Sequence, residues 1–133
     1  MKELTGDEKT VWTEDIAEAC GYVLMQSTAK AYEPDSSWVR CRKPNESHSI
    51  RFDPFKDWNH AIMARDKLLA LADYSVSYVH HHTDSPWVQV EITIWIHPDC
   101  GLDPVYEGKG SSELEALVMA LVEIAKARLE REL

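Results

Sequence analysis

The chain has no CxxC pair and only three cysteines, Cys20, Cys41 and Cys100. An odd number without paired spacing speaks against a disulfide framework and for reduced thiols in a cytosolic setting. Basic residues are scarce: 14 Lys and Arg stand against 23 Asp and Glu, a net charge of −9. Duplex-binding surfaces come from basic domains, so nucleic acid is not an expected partner. The acids are spread along the chain, as solubility alone would require. No apolar run approaches the roughly 20 residues of a membrane helix, so no membrane partner is expected either. The opening stretch MKELTGDEKT is polar and lacks the apolar segment of a secretory signal. The expected compartment is the cytoplasm.

What is present suits one globular domain. The chain has 133 residues, 44% hydrophobic, with five tryptophans. That length can bury roughly two thirds of its unfolded surface. Residues 1–10 read as a flexible tail and residues 11–133 as a single α+β domain.

The strongest pattern is Trp87 to Ile96, WVQVEITIWI. Val88, Val90, Ile92, Ile94 and Ile96 alternate with Trp87, Gln89, Glu91, Thr93 and Trp95, the signature of a half-buried strand. Tyr74 to His82 alternates as well, and Thr83 to Trp87 supplies a hairpin turn. Pairing Tyr78 with Ile92 places Tyr74, Val76 and Tyr78 on the isoleucine face.

Before the hairpin, Ile16, Ala19, Cys20, Val23, Leu24 and Ser27 recur at helical steps. They predict a helix from Thr13 to about Lys30, with Gly21 inside it and Thr13 as its N-cap. Short strands follow at Trp38 to Arg42 and Ser49 to Phe52, with Val39 opposite Phe52 and Cys41 opposite Ile50. Asp53 and Asp57 are candidate caps for a helix whose stripe is Trp58, Ala61, Ile62, Arg65, Leu68, Leu69 and Ala72. Residues 98–110, PDCGLDPVYEGKG, read as a loop. A last helix starts at Ser111 or Ser112, where Ser112 and Glu115 have capping-box spacing; Leu114, Leu117, Val118, Leu121, Ile124, Ala125 and Leu129 form its apolar face. The predicted order is α-β-β-α-β-β-α, with one antiparallel four-stranded sheet.

Phe52 to Ala61 (FDPFKDWNHA), the hairpin Tyr74 to Ile96, and Glu113 to Leu121 (ELEALVMAL) together resemble the phage ABA sandwich domain, a family of small phage and prophage proteins. The cap here is FKD where the family usually has a serine–threonine pair, and the closing helix lacks the family's common Cys-Arg pair. The resemblance covers roughly residues 12–130 and implies an alpha-beta-alpha sandwich, with helices on both faces of the sheet, in a phage setting. It supplies no catalytic residue and no cofactor.

Several side-chain groups invite chemistry. His80 and His82 have the H-x-H spacing of a strand zinc site. In the predicted register His97 lies about seven residues along the ladder, roughly 23 Å away, too far to be the third ligand. Turn-proximal, solvated histidines are the competing reading. His97, Asp99 and Cys100 are the ingredients of a nucleophile and base, but nothing in one loop fixes their geometry. Gly108-Lys109-Gly110 ahead of a helix offers an anion contact, without Walker A spacing. On the polar sheet face, Arg40, Arg42 and Arg51 gather with Trp38, His81 and Trp95. Arginine forks grip phosphate and tryptophan faces stack on bases, so these six are the candidate ligand-binding residues. The competing reading is a polar sheet surface with its arginines paired to acids.

Three classes of function stay open. The first is a non-catalytic accessory protein that binds a host or phage protein, as a homo-oligomer. The second is a protein that sequesters a small anionic, nucleotide-like ligand. The third is a metal- or thiol-dependent enzyme. The sequence favours the first, with no enzyme activity and no cofactor.

Overall fold

Thr5 begins the first helix by accepting a hydrogen bond from the Glu8 amide on its side-chain oxygen, with Asp7 and Glu8 in the first turn. This computed structural model describes residues 3–33, 35–95 and 104–131. Helix α1 (Gly6–Ala19) therefore starts inside the stretch expected to be a tail and stops well short of Lys30. Gly21 ends it. Gly21 adopts φ +85°, and the amides of Gly21 and Tyr22 close back onto the carbonyls of Glu18 and Ala17. Two such bonds around a left-handed glycine form a Schellman stop, so Gly21 terminates the helix instead of lying within it.

The chain then runs through β1 (Val23–Met25), the single turn α2 (Thr28–Ala31), β2 (Val39–Arg42), β3 (Ser49–Phe52) and α3 (Trp58–Leu68). It continues with β4 (Asp73–His81), β5 (Trp87–Trp95), β6 (Val105–Gly110) and α4 (Glu113–Arg131). The class is α+β, as expected. The order and the sheet are not as predicted: two three-stranded antiparallel sheets, β1-β2-β3 and β4-β5-β6, replace one of four strands.

Some local predictions hold. Val39 pairs with Phe52 and Cys41 with Ile50. Asp57 caps α3 by accepting the Asn59 amide. Ser112 accepts the Glu115 amide, while the Glu115 carboxylate reaches back to the Ser111 amide, one residue earlier than in a strict capping box. The buried stripe of α3 is Ala61, Ala64 and Leu68, and Trp58 is left 44% exposed.

The hairpin keeps its predicted faces but shifts by two residues. Tyr78 pairs with Val90 and Val76 with Ile92, and the turn spans residues 82–86. An even shift leaves every side chain on its own face. It also brings His81 opposite Trp87, where the rings stack 3.8 Å apart at 9°.

The loop expected over residues 98–110 contains β6, which pairs along β5 from Val88–Gly110 to Thr93–Val105. Gly108 and Gly110 are buried there because α4 lies directly against them.

One core joins both sheets. Phe52, Val39 and Cys41 from the first sheet share it with Val88, Val90 and Ile92 from the second. Helix α1 packs on β1 and β2 and also on α4, and α4 packs on β5 and β6. Helices α1 and α4 thus stand between the sheets, and the outward residues of β4 and β5 are exposed or half-buried. This reverses the layering that the family resemblance implies, in which helices cover both faces of one sheet. Among the described residues, no helix is long and apolar enough to cross a membrane.

Candidate functional site

Ending α1 at Gly21 lets β1 and α2 fold back beside it, and the space between them is a cleft of about 510 Å³. Its apolar wall is Leu24, Met25 and Val39. Thr10 and Glu14 from α1, Gln26, Ser27 and Thr28 from the β1–α2 segment, and Lys30, Trp38 and Arg40 complete it.

Local hydrogen bonds hold its cationic end. Ser36 Oγ donates to the Glu33 carbonyl at 2.6 Å, fixing the loop ahead of β2. Lys30 Nζ donates to the Ser36 carbonyl at 2.6 Å and to Ser36 Oγ at 2.8 Å. An ammonium carries three N–H groups, so one remains uncommitted among the described residues. The Thr10 hydroxyl, 3.0 Å from the same Ser36 carbonyl, ties α1 to this loop. Arg40 donates one N–H to Ser49 Oγ at 3.1 Å and, among the described residues, has the rest of its fork to offer.

Trp38 is the hub but not a stacking platform. It is 4% exposed, and its indole N–H donates to Glu33 Oε2 at 3.1 Å. Arg51 Cζ stands 4.2 Å from its ring centroid, Lys30 Nζ 5.2 Å and Arg40 Cζ 5.9 Å. With cations on the ring and almost no free surface, a nucleobase has no face to stack on. Its role is to gather positive charge through cation–π attraction, which strengthens as the groups lose water.

Burial tunes the charged groups. It lowers the Lys30 pKa, an effect opposed by Asp53, Glu33, Asp7 and Glu14. It raises the Glu14 pKa, with Glu18 and Asp15 pushing the same way and Lys30 opposing. At Glu14, a lining residue of the cleft, the surroundings thus favour the protonated form relative to a free carboxyl group.

The six candidate ligand residues do not form one surface. Trp38 and Arg40 line the cleft. Arg51 stands behind Trp38, ion-paired with Glu33 at 3.4 Å. Arg42 turns away and donates to the carbonyls of Lys43, Pro44 and Glu46, closing the β2–β3 turn. His81 and Trp95 belong to the other sheet, at opposite ends of the β4–β5 ladder. His81 lies flat on Trp87, and its enclosed Nε2 has no hydrogen-bond partner among the described residues. Trp95 is 53% exposed.

The histidine pair takes a different role from the one considered for zinc. His80 Nε2 lies 2.8 Å from Glu113 Oε1 in the first turn of α4, and the His82 ring stacks 6.5 Å from that of His80. Among the described residues, no three His, Cys, Asp or Glu side chains gather as a metal cage would need. His97, Asp99 and Cys100 lie outside the described residues. Cys20 and Cys41 are buried, and burial pushes their thiols up to about 12 and about 11, which leaves them protonated and unreactive. Lys109, considered for an anion site at a helix start, lies instead on β6 with its Nζ 5.4 Å from the Trp87 ring centroid.

Sequence reasoning missed Thr10, Glu14, Lys30 and the apolar wall of the cleft, because a helix continuing to Lys30 leaves no cleft to line. The available signal was Gly21 followed by the strand-favouring run Tyr22-Val23-Leu24. No family model, curated protein or solved structure matches this chain.

Proposed function

We propose that this chain is a non-catalytic binding protein that takes a small organic anion into the cleft between α1, β1, α2 and β2. The carrying observation is that Lys30 and Arg40, both with uncommitted N–H groups, stand on a cleft of about 510 Å³ with an apolar wall. A carboxylate or phosphate group would sit between these cations, and an aliphatic body would lie on Leu24, Met25 and Val39. The nucleotide-like ligand that the sequence leaves open as an alternative narrows accordingly, since Trp38 offers no face to a base. The proposal keeps the phage or prophage setting that the resemblance implies.

Titration calorimetry with inorganic phosphate, adenosine monophosphate and octanoate tests it. Charged hydrogen bonds are each worth about 1.5–3 kcal/mol, so replacing both cations in a Lys30→Ala/Arg40→Ala variant should weaken binding of the best probe at least about a hundredfold. Equal binding by that variant, or no binding of any probe at millimolar concentration, refutes the proposal.

A second reading, a protein partner, is favoured by the open face of β4-β5-β6. Val79, Trp95 and Val105 are 43%, 53% and 51% exposed on it, and tryptophan is enriched at binding hot spots. Replacing Arg40, Arg42 and Arg51 together separates the two: it abolishes anion binding in the first and spares partner binding in the second.

A further inference from the structure

Strand β4 is an edge strand, paired with β5 on one side and with nothing on the other among the described residues. Nine consecutive residue pairs join it to β5 without a break, so its free edge is long and regular. Natural sheets blunt such edges with lysine, proline, bulges or very short strands. The sequence of β4, DYSVSYVHH, contains no lysine, arginine, proline or glycine. The other free edges are blunted: β1 has three residues, β3 has four and carries Arg51, and β6 carries Glu107, Lys109 and two glycines.

We propose that the β4 edge pairs with β4 of a second copy of this chain, antiparallel about a two-fold axis through Ser77, joining two β4-β5-β6 sheets into one of six strands. This register is chosen by the side chains it brings together. On the open face, Asp73 of each copy stands opposite His81 of the other, Ser75 opposite Val79, and Ser77 opposite itself. On the helix side, Tyr74 stands opposite His80, and Val76 opposite Tyr78. Aromatic and β-branched residues opposite one another are favourable cross-strand pairs. Tyr78 and Val79, 39% and 43% exposed in the single chain, gain neighbours.

Charge points to the same place. Two copies of a −9 chain repel, so a self-contact belongs where carboxylates are few. Strand β4 has one, Asp73, and the two-fold sets it against His81 and away from the Asp73 of the other copy. Shifting the two-fold to Tyr78 would pair Val79 with Ser77 but leave Asp73 facing no residue of β4. The axis at Ser77 uses the whole strand.

Sedimentation of the full chain at high micromolar concentration should show a species of twice 15.2 kDa. Ser77→Lys sets two ammonium groups face to face on the axis and should weaken that species at least about tenfold, with the circular dichroism of the natural chain retained. Cysteine placement reads the register in a Cys100→Ser background: S77C should cross-link with itself on mild oxidation, and S75C should cross-link with V79C when the two are mixed. A species of 15.2 kDa at every concentration overturns the proposal, as does a dimer that Ser77→Lys leaves intact. Cross-linking of Q89C, on the middle strand, as readily as S77C would also overturn it.

Discussion

The contact of α4 with β6 passes through two glycines, and Gly108→Ala tests it most sharply. A Cβ built on Gly108 would overlap the Ala116 carbonyl oxygen and the Ala120 amide nitrogen and lie 2.9 Å from the Met119 carbonyl carbon. All three are backbone atoms of a 19-residue helix, so no side chain can swing aside. Seating the methyl requires α4 to retreat, and Leu117, Val118, Ala120 and Leu121, all fully buried, move with it. Overpacking costs about 1–3 kcal/mol when side chains can absorb it, so a cost of about 3 kcal/mol or more is expected here. For a chain of this size each kcal/mol moves the melting midpoint by about 3–5 °C, which puts the expected fall at about 10–15 °C. Two companion variants grade the effect. A Cβ on Gly110 meets the Ala116 amide nitrogen and the Glu115 Cβ at 2.7 Å, a shallower overlap than at Gly108, so Gly110→Ala should cost less. Gly21 has open space around it but φ +85°, so Gly21→Ala should cost about 1–2 kcal/mol through backbone strain alone. Urea unfolding followed by tryptophan fluorescence measures all three. A Gly108→Ala loss below about 1 kcal/mol, or one no larger than that of Gly21→Ala, would refute close helix–strand packing at β6.

Because the Glu14 pKa is raised in the folded chain, its ionised form opposes folding. Glu14→Gln should therefore stabilise the protein at neutral pH, with the gain vanishing as pH falls below the ordinary carboxylate value of 4.5; a gain that persists at lower pH refutes this. The same variant should tighten anion binding at neutral pH, and calorimetry showing weaker binding would count against Glu14 repelling the ligand. Cys20 and Cys41 should resist thiol reagents in the native chain and label only as it opens, as peptide mapping would show; fast labelling of either contradicts their burial. Asp57→Ala removes the cap of α3 and should cost about 1 kcal/mol, whereas Ile92→Ala, at a fully buried position, should cost about 2–5 kcal/mol in urea unfolding.

The sequence made the hairpin faces legible because strand periodicity survives an even slip. Tyr78 opposite Val90 instead of Ile92 changes the pairing and leaves the same residues in the core. The β2–β3 faces were legible for the same reason: pairing Val39 with Phe52 and Cys41 with Ile50 collects the apolar residues on one side. Strand β6 was hidden by its glycines, which read as loop punctuation although their function is to admit a helix backbone. Strand β1 was hidden because Val23 and Leu24 continue the helical spacing of Ile16, Ala19 and Cys20, and period alone does not record that Gly21 has reversed the chain. Both omissions removed a third strand from a sheet, and what was left of each merged into one sheet of four.

That merger explains why the candidate site looked larger than it is. A single sheet puts every outward arginine, tryptophan and histidine on one surface, and six residues from it make a persuasive phosphate and base site. Two sheets with helices between them divide the set. Arg40 and Arg51 stay together around Trp38, and His81 and Trp95 go to the other sheet. The division has a consequence for coupling. The cleft is built by α1, β1, α2 and β2, while the β4 edge belongs to a sheet whose helix contact is α4. Sites without shared partners contribute independently. Lys30→Ala/Arg40→Ala should therefore abolish anion binding and leave self-association unchanged, and Ser77→Lys should do the reverse. Loss of both properties in either variant would mean that α1 and α4 transmit strain between the sheets, and the two surfaces would have to be treated as one.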